Sequence, residues 1–85
     1  MKVYGGSLDG RSRIIVAANS RAEVRRILTG LGYRVSAYHL AGWWGETANQ
    51  RELLVASERG SAWRNDDPHK SYGRWVRLVP MEGRQ

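Results

Sequence analysis

The sequence has no cysteine, no phenylalanine and only two prolines, and its eight acidic residues are well outnumbered by basic ones. Without cysteine there is no disulfide, no thiol nucleophile and no zinc ribbon, and a reducing cytoplasm is the expected compartment. Without phenylalanine the core must be built from Val, Ile, Leu and Ala together with the amphipathic rings of four Trp and four Tyr. No stretch approaches the ~20 apolar residues that span a bilayer, and Met1-Lys2-Val3-Tyr4-Gly5-Gly6 lacks a signal-peptide core, so a soluble protein with no membrane partner is expected. Solenoid repeats and low-complexity tracts are also missing.

What is present is arginine. Lys and Arg total 14, twelve of them Arg, and the formal net charge is +6. The guanidinium is a planar fork that matches phosphate and carboxylate geometry, so this bias predicts a negatively charged partner, either nucleic acid or an acidic protein surface. The 85 residues suffice for one domain, 1–85, of the size that needs large core side chains or an interface to be stable.

Local patterns predict a small α+β fold. Residues 2–4 and the β-branched run Arg13-Ile14-Ile15-Val16-Ala17-Ala18 read as an N-terminal hairpin, with Asp9-Gly10 supplying its turn. Ser20 and Glu23 form a capping signature for a helix whose apolar positions Val24, Ile27, Leu28 and Leu31 repeat at helical spacing and which Gly30 and Gly32 end. Residues 36–41 read either as a strand or as a short second helix capped by Ser36, and the helix is preferred. Asn49 and Glu52 repeat the capping signature, predicting a helix that ends near Arg59-Gly60. Residues 61–64 and 74–79 then read as two further strands, separated by a mobile loop near 65–73 and followed by a tail at 81–85. The expected architecture is an antiparallel sheet, from the N-terminal hairpin and the C-terminal strands, packed on one face against two main helices.

Candidate partner-binding residues follow from where cations and rings coincide. Arg21, Arg25 and Arg26 share the polar side of the first helix, where Arg21 and Arg25 repel each other at i, i+4 and an anion would relieve the strain. In the last strand Trp75 and Arg77 alternate with Val76 and Leu78. They therefore share a face, either to grip phosphate and stack on a base, with Arg74 beside them, or to let an arginine stem cover a ring. Trp43 and Trp44 point in opposite directions if extended, which gives one ring to the core and leaves the other as an interface candidate. Catalytic material is thin: His39, His69, Glu46, Asp66, Asp67 and the tyrosines lack metal-ligand spacing, and the glycines do not form a phosphate loop. No catalytic residue, metal or cofactor is expected.

Taken together, Lys2-x-Tyr4-Gly5-Gly6, Arg13-Ile14-Ile15-Val16-Ala17-Ala18-x-Ser20, Glu23, Ser36-x-Tyr38-His39 and Gly45-Glu46-Thr47-x-Asn49 resemble a group of small phage and prophage accessory proteins over residues 2 to about 60. That group looks like the genes that also encode anti-CRISPR and other host-takeover inhibitors. The resemblance implies a stoichiometric inhibitor that works in the cytoplasm of a bacterial host, for example on a CRISPR effector, and it assigns no active site. Two other functions are compatible with the residues. A helix-turn-helix regulator would place Ala37 and Tyr38 against bases and Arg21 and Arg34 on phosphates. A small ribonuclease resembling the basic toxin endoribonucleases would use His39, His69 or Glu46.

Overall fold

The computed structural model describes residues 2–8, 12–36, 38–43, 50–56, 58–66 and 74–79. Strand β1 (Lys2–Gly6) pairs antiparallel with β2 (Arg13–Ala18) in a register running from Lys2 opposite Ala18 to Gly6 opposite Ile14. The hairpin is therefore present. Its Asp9-Gly10 turn lies outside the described residues. Helix α1 (Arg21–Gly30) follows, then α2 (Gln50–Val55), β3 (Ala62–Asn65) and β4 (Val76–Leu78). The four strands form one antiparallel sheet in the order β1-β2-β3-β4.

Helix α1 begins as its sequence dictates. The Ser20 hydroxyl accepts from the Glu23 backbone N–H at 3.2 Å, satisfying a donor that the first turn leaves orphaned. It ends in a Schellman motif: the Tyr33 N–H donates to Leu28 C=O and the Gly32 N–H to Thr29 C=O, both at 3.0 Å, with Gly32 at φ +97° where a side chain would be strained.

Alternation along β2 divides the interior in two. Ile14, Val16 and Ala18 face α1 and join Tyr4, Val24, Leu28, Val35, Leu40, Trp43 and Ala62 in the larger cluster. Ile15 and Ala17 face the other way and pack with Val3 and Ala56, helped by Val55, Trp63 and Trp75. The small α+β class is thus as expected, but the two helices do not share a face. The α2 end, through Val55 and Ala56, closes the side opposite α1, because the continuous apolar run of β2 needs cover on both faces.

Three local expectations are corrected. Residues 38–42 form turns in place of a second helix, with bonds from Leu40 N–H to Ser36 C=O, Ala41 N–H to Tyr38 C=O and Trp43 N–H to Leu40 C=O. From this stretch Leu40 and Trp43, each 3% exposed, enter the core, and a segment this short gains little from helix propagation. Helix α2 stops at Val55, well before Gly60, because Ala56 enters the core and Gly60, at φ +87°, turns the chain into β3. The loop expected at 65–73 starts late: Asn65 is a buried strand residue and Asp66 accepts from the Ser12 hydroxyl at 2.7 Å. Residues 67–73 and 81–85 lie outside the described residues.

Candidate functional site

The carboxylates decide which cations remain to meet a partner. Glu52 is buried and receives both the Nε and a terminal nitrogen of Arg13, at 2.5 and 3.2 Å. Glu23 receives Arg59 in the same forked manner at 3.0 and 3.1 Å. Asp66 accepts from Arg64, whose other arm reaches the Tyr33 hydroxyl, and Glu58 accepts from Arg77 at 3.3 Å. Every carboxylate among the described residues is therefore held by an arginine from within the fold. The fork on Glu23, with a backbone N–H of Asn19, holds its carboxyl below the ordinary value of 4.5. The Tyr33 hydroxyl, then Asp66, raise Arg64 above its usual range.

Arg77 does not stand ready for a ligand. Its guanidinium lies 5.8 Å from the centre of the Trp63 ring and pairs with Glu58, while Trp75 packs half-buried against the second core cluster. The alternation along β4 holds, with Arg77 opposite Trp63 and Val76 opposite Arg64, but the face shared by Trp75 and Arg77 covers apolar surface. Trp63 itself was not singled out in the sequence, although its register with Arg77 is what fixes that guanidinium. Arg74 is exposed at the start of this segment and forms no ion pair among the described residues. Trp43 is core, with its indole lying where a Cβ on Gly6 would sit, so it offers nothing to a partner. Trp44, Ala37, His69, Glu46 and Asp67 lie outside the described residues.

A different condition holds on the outer side of α1. Arg21 donates to the carbonyls of Leu40 and Ala41, at 3.5 and 3.2 Å, and Arg25 donates from Nε to Val35 C=O at 3.1 Å. These bonds fasten the 35–41 segment to the helix, and because a carbonyl carries no net charge the bond to Val35 leaves Arg25 its full charge. Arg26 and Arg34 are exposed and form no hydrogen bond or ion pair among the described residues, although Arg26 lines the α1–β4 groove together with Glu23 and its charge helps to lower that carboxyl. A groove of about 550 Å³ runs between helix and turn, lined by Arg21, Ala22, Arg25, Leu40 and Ala41, and a neighbouring depression is lined by Ala22, Arg25, Arg26 and Thr29. Among the described residues neither is lined by a carboxylate. By contrast, the groove of about 640 Å³ between α1 and β4 has an apolar floor that includes Ile27, Leu31 and Leu78, and its Arg59 and Arg77 are already paired with Glu23 and Glu58.

His39 sits at the tip of the fastened segment. Its Nδ1 accepts from the Ser36 backbone N–H at 3.1 Å and lies 3.1 Å from the Ser36 hydroxyl, which in turn accepts from the His39 N–H. Nδ1 is thus engaged in a local cap, while Nε2 forms no hydrogen bond among the described residues. No group of three or more metal-ligating side chains occurs among the described residues, and no helix there is long and apolar enough to cross a membrane. No family model, curated protein or solved structure matches the chain.

Proposed function

We propose that this protein is a non-enzymatic binding protein that engages a negatively charged macromolecular surface through the outer side of α1 and the 34–41 segment. One observation carries the reading: carboxylates neutralise Arg13, Arg59, Arg64 and Arg77, whereas Arg25 lines two neighbouring grooves on the outer side of α1, one of them with Arg26, in which no acidic residue occurs among the described residues. An arginine held by carbonyls keeps its full charge and loses side-chain freedom, so less entropy remains to be lost when an anion arrives. The resemblance to phage accessory proteins supplies a biological role, that of a stoichiometric inhibitor acting on a nucleic-acid-handling host complex or on the nucleic acid itself. The turn at 38–42 does not favour the helix-turn-helix alternative, and His39 has no second acid–base group against it among the described residues to favour the ribonuclease.

The test is affinity capture from a bacterial lysate, with and without nuclease, using the native chain and an Arg25→Glu/Arg26→Glu variant. The native protein is expected to retain an anionic partner that the variant loses and that elutes with salt. Equal retention by both proteins would overturn the assignment of the face.

A further inference from the structure

Helix α1 buries Val24 and Leu28 and leaves Arg21, Ala22, Arg25, Arg26, Thr29 and Gly30 exposed. Its one carboxylate is turned aside: the Glu23 side chain is 13% exposed and holds the fork from Arg59. The large hydrophobic side chains that are exposed elsewhere, from Tyr38 to Val79, do not include any on this helix. Its outer half therefore consists of arginines and small residues alone.

The helical repeat sorts them. At about 100° per residue, Ala22 and Thr29 fall within about 20° of each other and form a crest, with Arg25 and Arg21 about 50° and 90° to one side and Arg26 about 50° to the other. The surface agrees with this arrangement. Arg21 and Arg25 line the groove toward Leu40 and Ala41, Arg26 lines the groove toward β4, and Ala22 and Thr29 share one depression with Arg25 and Arg26. The Nε bond to Val35 fixes the Arg25 stem on its flank, and its terminal nitrogens have no partner among the described residues.

From this arrangement we infer that α1 is a ridge for the major groove of double-stranded DNA, with the small crest toward the groove floor and the two arginine flanks on the phosphates of its two walls. The inference rests on the anion-binding reading above and narrows it to one partner. A helix with its side chains is about 10–12 Å across and the major groove of B-form DNA is about 12 Å wide, so a crest of short side chains seats where a bulky one would not. An acidic protein would need an apolar or aromatic anchor at the centre of the contact, and the crest supplies none. A single strand brings one row of phosphates to a helix with two flanks, and its bases stack on rings that α1 lacks. The deep, narrow major groove of double-stranded RNA does not admit a helix.

Fluorescence anisotropy decides it, with four labelled probes: a double-stranded DNA, one of its single strands, the same sequence as double-stranded RNA, and a poly-glutamate peptide. The DNA duplex is expected to bind most tightly, and the logarithm of its affinity to fall against the logarithm of salt with a slope of about −0.9 per phosphate neutralised. Ala22→Trp and Thr29→Trp raise the crest without changing the charge, and each is expected to weaken duplex binding by roughly tenfold or more, whereas Thr29→Ala retains it. Thermal melting of these variants checks that the exposed positions leave the fold intact. A single strand, RNA duplex or peptide bound as tightly as the DNA duplex, or duplex binding indifferent to the raised crest, would overturn the inference. If no oligonucleotide binds while lysate capture still depends on Arg25 and Arg26, the inference falls and the broader reading stands; if capture does not depend on them either, both fall.

Discussion

Two glycines in β1 do different work although they are neighbours. A Cβ on Gly5 would meet the tip of the Arg13 guanidinium, the far end of a long side chain that is about one third exposed, which can give way only by loosening the terminal-nitrogen arm of its fork on Glu52. A Cβ on Gly6 would overlap the Trp43 indole, which is buried and has nowhere to retreat. Gly6→Ala is therefore expected to destabilise the domain by about 1–3 kcal/mol, the usual range for overpacking, and Gly5→Ala by less. Urea denaturation of the two variants measures the difference, and equal losses would place the Trp43 ring elsewhere. A second residue-scale effect concerns protons. Arg59 depresses the Glu23 carboxyl below 4.5, so the folded chain binds that proton less readily than the unfolded chain does. The stabilisation from this contact is thus present in full above the ordinary carboxylate value and is lost as pH falls through the lowered one. Glu23→Gln is expected to flatten the acid limb of the stability profile in thermal melts, with little change in its shape above neutrality.

Helix α2 inverts the usual relation between polarity and burial. Its buried residue is Glu52, while Leu54 is 75% exposed and Leu53 39%. The cause is Arg13, which points from β2 toward α2 and would be left with its charge uncompensated if the helix turned its leucines inward. Glu52→Ala is expected to cost about 1–3 kcal/mol by stranding that guanidinium, whereas Leu54→Ala should stay within about 0.5 kcal/mol. Chemical denaturation of the pair tests this, and a costlier leucine would show that the helix face is misassigned. The same element marks the boundary of what local sequence can reveal. The β-branched run of β2 and the Ser20 cap of α1 were legible because each depends on residues within one or two turns of chain. The helix at 50–55 was legible too, but its orientation was set by a partner 39 residues away and by the need of β2 for cover on both faces. The expected helix at 36–41 is absent: Ser36 caps the His39 N–H and its carbonyl accepts from the Leu40 N–H, but the stretch is too short for that start to propagate. At the candidate site, Arg21, Arg25 and Arg26 were visible as a basic helical side. The Trp75 and Arg77 pair was visible as a pattern but not as packing, because the Trp63 ring beneath Arg77 arrives only through sheet register.

At the scale of the whole molecule the arginines fall into two populations that carry the same charge and different surroundings. Arg59 and Arg77 close ion pairs within the fold, while Arg26 and Arg34 have no such partner among the described residues. If a partner responded only to the net charge of +6, removing any one of these cations would weaken binding by a similar factor, because a long-range field sums over all charges and is screened within about 10 Å at ordinary salt. If the partner contacts the outer side of α1, the losses must separate. Arg26→Gln and Arg34→Gln are expected to weaken capture or oligonucleotide binding several-fold and to leave the melting temperature nearly unchanged, since neither side chain makes a bond that folding needs. Arg59→Gln is expected to do the opposite, lowering the melting temperature by a few degrees at most, as solvent screens an exposed pair, while binding persists. Measuring both quantities on all three single-charge variants at one salt concentration separates the two cases. Parallel losses of binding across the set would mean that overall charge, and not the α1 face, draws the partner in.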